Sequence, residues 1–286
     1  MAALIRLEEK QSEIVNVAKV NQLSPFRYPG GKTWLVPWFL KWIHSLGFKP
    51  TCLVEPFAGG GIISLSAAYY DLVDKCFMIE KDEDVASVWK TIFYGDWEWL
   101  VNRIISFELT LESANEILSS TAKNCEEMAF KTVIKNRIYH GGVLANGSGM
   151  LKFGEKGKGI LSRWYPNTLA KRIKTIASMK DKIIFCEGNA FNFIPDFADN
   201  ENVIYFVDPP YTASKKKAGK RLYRYYEIDH NELFLMLKNI KGKFLLTYDL
   251  DENVVSLAEK HNFNYQIIPM TGTHLSLRYE LIILND

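Results

Sequence analysis

Five short apolar runs constrain what this chain can fold into more than any other feature: Cys52–Glu55, Cys76–Ile79, Ile183–Cys186, Val203–Val207 and Phe244–Thr247. Each carries β-branched or aromatic residues and stops at a polar, Gly or Pro signal, as a strand buried on both faces does. Helical stretches lie between them at Ile62–Tyr70, Asp84–Tyr94, Asn189–Phe197 and His230–Ile240. This alternation predicts an α/β fold with a doubly wound, mostly parallel sheet. Tyr265–Pro269 and Tyr279–Leu284, joined through Thr271-Gly272-Thr273, read as a closing antiparallel hairpin. Thr33 reads as the cap of a helix through Trp34–Ser45, with Pro37 in its first turn. Residues 1–23 read as a leader without a motif.

The rhythm breaks between about 96 and 182. Helical segments Asp96–Phe107, Leu111–Ser120 and Cys125–Tyr139 follow one another without strands, and His140–Gly159 then holds seven glycines in twenty residues. The expectation is a small, mainly helical inserted subdomain, residues 96–182, within a domain formed by 1–95 and 183–286.

Composition narrows the class. The 48% hydrophobic content supports a sizeable core and excludes a disordered chain. No apolar run is long enough to span a membrane, and Arg6, Glu8, Glu9 and Lys10 stand where a secretory signal would be apolar. The four cysteines, Cys52, Cys76, Cys125 and Cys186, form no Cys-x-x-Cys pair and read as small hydrophobes in a reducing compartment, with no metal site indicated. The net charge of +2 is unevenly spread: residues 149–182 carry nine Lys/Arg against two acids, and 211–224 carry six against none. Two basic islands on an acidic body point to a polyanion contact, a solvated basic face being the plainer alternative.

Three motifs carry chemistry. Leu53-Val54-Glu55 is a strand end, and Phe57–Gly61 is a tight turn opening the helix at Ile62, where glycines admit a ligand close to the backbone. Glu80 follows the second strand, where a carboxylate can accept both ribose hydroxyls of a nucleoside. Gly30-Gly31-Lys32-Thr33 is not a phosphate loop, because Phe26 stands where that motif needs glycine and no strand precedes it. The expected ligand is therefore a nucleoside without a polyphosphate tail. Asp208-Pro209-Pro210-Tyr211 places an acceptor carboxylate, a stiffened carbonyl and an aromatic ring at the exit of the fourth strand. Asp208 and the Pro209 carbonyl can accept both hydrogens of a planar amine, and Tyr211 offers a stacking face. That grip aligns a weakly nucleophilic nitrogen for methyl transfer.

Phe26–Lys32, Glu55–Gly61 and Asp208–Tyr211, in that order with an insert between the second and third, resemble the Dam-type (D12 class) DNA adenine-N6 methyltransferases. Their order is that of the α group of amino-methyltransferases. Weaker echoes fall at Asn136-Arg137, Cys186-Glu187 and Arg278-Tyr279-Glu280, so the resemblance covers most of residues 24–285. It implies a seven-stranded Rossmann-like methyltransferase sheet with a target-recognition insert. It further implies S-adenosyl-L-methionine as cofactor, bound by Tyr28, Lys32, Glu55, Phe57, Gly59, Gly61, Glu80 and Asp208, with Asn189 and Ala190 near the adenine-facing stretch. Asp208, Pro209, Pro210 and Tyr211 are the implied catalytic residues, acting on a base flipped out of double-stranded DNA. Expected DNA contacts are Arg137, Lys152, Lys156, Lys158, Arg163, Lys215, Lys216 and Lys217, phosphates first and bases second. Trp164 and Tyr165 read either as a DNA wedge or as a staple at a helix start.

The chain departs from the family at Ala145. Members that read GATC carry there an arginine that contacts a guanine, and alanine cannot donate to a base edge. GATC specificity is therefore not expected. The resemblance fits a restriction-modification or DNA-marking role in the cytoplasm of a bacterial or phage-infected cell, a companion restriction endonuclease being a further expected partner. Modest size suggests a monomer. The same amine grip suits cytosine N4, RNA adenine or a protein glutamine, and a catalytically dead DNA-binding module is the alternative outside enzymes.

Overall fold

The computed structural model describes residues 15–211, 222–271 and 277–285. Seven strands form one sheet: β1 (Cys52–Glu55), β2 (Lys75–Glu80), β3 (Ile183–Glu187), β4 (Val203–Val207), β5 (Lys243–Asp249), β6 (Asn264–Thr271) and β7 (Leu277–Leu284). Their order is β3-β2-β1-β4-β5-β7-β6. The first five pair in parallel, and β7 runs antiparallel to both β5 and β6. This is the doubly wound, mostly parallel sheet that the apolar runs predict, closed by the antiparallel pair β6–β7, whose expected join at Gly272-Thr273 lies outside the described residues. All five runs are strands, and β2, β3 and β5 extend beyond them into polar ends.

Helices α1 (Val36–Ser45), α2 (Ile62–Tyr69), α3 (Glu83–Phe93), α4 (Trp97–Ser106), α5 (Leu111–Ser119), α6 (Cys125–Ile138), α7 (Pro166–Ala177), α8 (Ala190–Phe193), α9 (His230–Lys238) and α10 (Glu252–Lys260) surround it. The central strand β4 is buried at every position. Its side chains alternate between two cores: Ile204 and Phe206 join α1, α2 and α3, while Val203, Tyr205 and Val207 join α9 and α10. A strand covered on both faces has no polar position to offer, which is why the run reads as continuously apolar.

Two expected helices differ in detail. Thr33 caps nothing: a 3₁₀ turn, Lys32–Leu35, precedes α1, whose first turn does hold Pro37. That turn carries Lys32 inward to a buried ion pair described below. The stretch 189–197 divides into α8 and a 3₁₀ turn at Ile194–Phe197 because Pro195 has no amide hydrogen to continue an α-helix.

Between β2 and β3 the chain forms α3 to α7 and no strand among the described residues, apart from an isolated bridge between Tyr139 and Met150. Helix α6 packs along α3, and α4 packs along α7. Buried residues of α4, α6 and α7 belong to the same core as α1 to α3. Cys52 and Cys76 are buried, whereas Cys125 and Cys186 are half-buried. No described helix is long and apolar enough to cross a membrane. The leader as far as residue 14 and the basic residues Lys215, Lys216, Lys217, Lys220 and Arg221 lie outside the described residues.

The strand order decides where a ligand can bind. From β1 the chain steps to β2 and β3 on one side, then returns to β4 and β5 on the other. The carboxyl ends of β1 and β4 are therefore neighbours at a topological switch point, where α/β sheets open a crevice.

Candidate active site

The glycine turn after β1 is fastened to β2. The Ala58 amide donates to the Ile79 carbonyl at 2.9 Å, and Trp89 Nε1, on α3, donates to the Gly59 carbonyl at 3.0 Å. Glu80 completes the attachment: Oε2 accepts the Gly59 amide, and Oε1 accepts the amides of Lys81 and Asp82, all at 2.8 Å. Gly61 has φ +63 and begins α2 without a side-chain cap, so Glu55 supplies one by accepting the Ser64 amide at 2.9 Å. A side chain at Gly59, φ +48, would place Cβ 2.6 Å from the Tyr28 ring. Glycine is required there by both conformation and space. Burial drives the carboxyl of Glu55 up to about 8 and that of Glu80 up to about 7, against the amide hydrogen bonds that lower them.

Asp208, at the exit of β4, is held on one oxygen. Its Oδ1 accepts the Tyr211 hydroxyl at 2.8 Å and the Thr247 hydroxyl at 2.8 Å, and lies 2.9 Å from Lys32 Nζ. Oδ2 has no hydrogen-bond partner among the described residues, and the side chain stays 22% exposed. One oxygen fixes the carboxylate, and among the described residues nothing occupies the other. Lys32 is 2% exposed and also donates to the Gly30 carbonyl at 2.8 Å. Burial works against its charge, but Asp208 and Glu280 outweigh that cost and its pKa is raised. The Tyr211 ring lies against Tyr248, with centroids 5.5 Å apart and planes at 29°, and the Tyr248 hydroxyl shares a 2.6 Å hydrogen bond with His230.

The opposite wall comes from residues 24–30, which the helical segment clamps. Asn136 accepts the Arg27 amide at 2.9 Å and donates to the carbonyls of Arg27 at 3.1 Å and Gly142 at 2.8 Å. Arg137 donates to the Pro25 carbonyl, and Arg172 to that of Ser24 at 3.0 Å. Past Tyr211 the described chain resumes at Leu222. The Tyr223 hydroxyl donates to the Pro29 carbonyl at 3.0 Å, and Arg224 lies 3.6 Å from Asp82, 2.8 Å from Glu83 and 2.6 Å from Asp84.

These walls enclose one cavity of about 1170 Å³. It is lined by the glycine turn, by Glu80, Lys32 and Asp208, and by the helical segment through Ala145 and Arg163. The two chain-distant turns thus share one crevice. Among the described residues no group of three His, Cys, Asp or Glu is placed to hold a metal ion.

A family model described as D12 class N6 adenine-specific DNA methyltransferase matches residues 28–270. The chain belongs to that family. Membership makes it a methyltransferase, with DNA as the family's substrate. No curated protein sequence matches it. Among solved structures it is similar to a Pyrococcus horikoshii protein assigned as an RNA methyltransferase, at 11% identity over 94% of this chain and 92% of that one, TM-score 0.43. It is also similar to the rRNA methyltransferase aviRa of Streptomyces viridochromogenes, at 10% identity over 95% and 94%, TM-score 0.40. A third is precorrin-6y C5,15-methyltransferase of Geobacter metallireducens, at 10% identity over 86% and 84%, TM-score 0.37.

In this D12 family member Tyr28, Lys32, Glu55, Phe57, Gly59, Gly61, Glu80, Asp208, Pro210 and Tyr211 all line the cavity. Phe57 is half-buried and meets Phe191 edge-on at 6.4 Å. Arg137 departs from its expected role as a DNA contact: it is 5% exposed and spent on the Pro25 carbonyl, so it builds the wall that carries Tyr28. Lys152, Lys156 and Lys158 are exposed, and Arg163, half-buried, pairs with Glu155 of their loop. Trp164 packs edge-on against Phe107 at 6.2 Å in the core, whereas Tyr165 precedes α7 and stays 52% exposed. Sequence reasoning missed Thr247, Phe191, Tyr223 and Tyr248, and read Arg224 only as part of the 211–224 basic island, whereas it pairs with Asp82, Glu83 and Asp84. Only a polar residue ending an apolar run marked Thr247, and nothing local marked the other three.

Proposed function

We propose that this chain transfers a methyl group from S-adenosyl-L-methionine to N6 of an adenine extruded from double-stranded DNA. The observation that carries the reading is Asp208, fixed through Oδ1 and, among the described residues, unpartnered at Oδ2, in the same crevice as a glycine turn closed by Glu80. Asp208 Oδ2 and the Pro209 carbonyl accept the two amine hydrogens, and Tyr211, stiffened by Tyr248, stacks on the base. Negative charge on Asp208 favours the positive charge that grows on the nitrogen, and the carboxylate then takes up the proton it releases.

The glycine turn and Glu80 suit a nucleoside. A Cβ would fill the space beside Tyr28, and the carboxylate stands at the tip of β2, where ribose hydroxyls are accepted. Tyr28, Phe57, Glu80 and Lys32 would hold S-adenosyl-L-methionine, with Phe57 and Phe191 as aromatic walls. That cofactor supplies an electrophilic methyl on a sulfonium. Residues 96–182 serve as the target-recognition segment, with Lys152, Lys156, Lys158 and Arg163 on phosphates. Ala145 lines the cavity without a side-chain donor, so a recognition sequence other than GATC is expected. The setting we favour is restriction-modification or DNA marking by a monomer in a bacterial or phage-infected cytoplasm.

The test incubates duplex DNA with methyl-labelled donor and separates the digested nucleosides. Label in N6-methyldeoxyadenosine is expected. Label confined to N4-methyldeoxycytidine, or transfer only to RNA or protein, overturns the reading. Asp208→Ala is expected to abolish transfer while DNA binding persists.

A further inference from the structure

Glu280 is a buried charge that the mechanism above does not use. It lies on β7, paired in register with Asp249 of β5 and Ile268 of β6, and is only 5% exposed. The next three residues, Leu281, Ile282 and Ile283, are wholly buried and apolar. Nothing in the packing of this strand calls for an acid. Its Oε1 lies 3.7 Å from Lys32 Nζ, and its buried Oε2 has no hydrogen-bond partner among the described residues. A buried carboxylate with an unpaired oxygen is costly to keep.

We infer that Glu280 is a positioning residue that balances the charge of Lys32, so that Asp208 meets the target amine as part of a net negative group. This rests on the methyltransfer reading given above. Lys32 is the only ammonium within ion-pair distance of Asp208 among the described residues. With Asp208 alone, Lys32 would make a neutral pair that has little attraction left for a nitrogen gaining positive charge. Glu280 gives Lys32 a second carboxylate, so that Lys32, Asp208 and Glu280 together carry one net negative charge. It also leaves Lys32 free to fix Asp208 Oδ1 without cancelling what Oδ2 offers. Electrostatic preorganisation of this kind acts on the transition state more than on either ligand's ground state.

The charged and titratable groups acting on Glu280 from the surrounding elements are Lys32, Asp208 and Asp249, with Tyr211 and Tyr223 nearby. Burial, with Asp208 and Asp249 adding to it and Lys32 opposing, raises the Glu280 carboxyl to about 7. The charge is therefore present above that pH and lost below it.

The experiment compares wild type with Glu280→Gln, which keeps shape and removes charge. Single-turnover methylation of duplex DNA is followed from pH 5.5 to 8.5, and donor and DNA affinities are measured by calorimetry and fluorescence anisotropy. At pH 8.5 the variant is expected to be about tenfold or more slower, with donor and DNA dissociation constants within about twofold of wild type. The ratio of the two rates should converge toward one at pH 5.5. Equal rates at all pH, a ratio indifferent to pH, or a tenfold weaker donor affinity would each overturn the inference. Should the Gln variant not fold, Glu280→Asp keeps the test: its acid limb should move to lower pH, and an unmoved limb counts against the role. A wild type with no adenine product refutes the methyltransfer reading instead, a result distinct from all of these.

Discussion

The Thr247 hydroxyl on β5 donates to Oδ1 of Asp208 at 2.8 Å across 39 positions of sequence, and Thr247 is wholly buried. The neighbouring parallel strands β4 and β5 thus set the Asp208 carboxylate jointly. Hydrogen bonds to charged groups contribute about 1.5–3 kcal/mol. Thr247→Val keeps the volume and removes the donor, so kcat should fall about ten- to hundredfold. Thr247→Ser should restore most of it. Steady-state kinetics with the three proteins checks this, and an undiminished Val variant removes Thr247 from the site.

Gly59 tests the donor cradle. Gly59→Ala meets the Tyr28 ring and demands a left-handed backbone at φ +48. A destabilisation of about 1–2 kcal/mol is expected from strain. Donor affinity should weaken more than tenfold, while binding of DNA alone should change little. Calorimetric titration with donor and with duplex separates the two effects.

Glu55 makes stability depend on pH. Its carboxyl is raised by burial to about 8 from an ordinary value near 4.5. An acid whose folded pKa is raised contributes stability that is fully present below the unfolded value and lost as pH rises through the folded one. The ligand-free protein should therefore lose stability between about pH 5 and pH 8. Glu55→Gln should be more stable than wild type at pH 8.5, by roughly 1–3 kcal/mol, and no better at pH 4.5. Urea midpoints at both pH values decide it.

Arg137 and the loop lysines should separate cleanly. Arg137→Ala removes the clamp on Pro25 and should cost about 1–3 kcal/mol of stability, with the salt dependence of DNA binding unchanged. Replacing Lys152, Lys156 and Lys158 together by Gln should leave the melting temperature nearly unchanged. It should make the slope of log affinity against log salt shallower by about 2–3. Fluorescence anisotropy at several salt concentrations reports both.

The sheet was legible from local sequence. Val203–Val207 and its four counterparts read as strands because a strand buried on both faces carries its whole signal in consecutive apolar residues. The glycine turn and Asp208-Pro209-Pro210-Tyr211 were legible for a similar reason: backbone demands at φ +48 and +63 and proline restraint are local properties. Tertiary structure alone decided the partners of those motifs. Thr247, Glu280 and Tyr248 act through spatial neighbours on other strands, and no spacing in sequence reports which strand ends adjoin. Arg137 illustrates the same limit, since a charge in a helix reads as a surface contact until packing turns it onto a carbonyl more than a hundred residues away. Short-range patterns settled which elements form. Only the fold could bring Lys32, Asp208 and Glu280 into one buried cluster, because charge interactions in a low-dielectric crevice depend on distance through space.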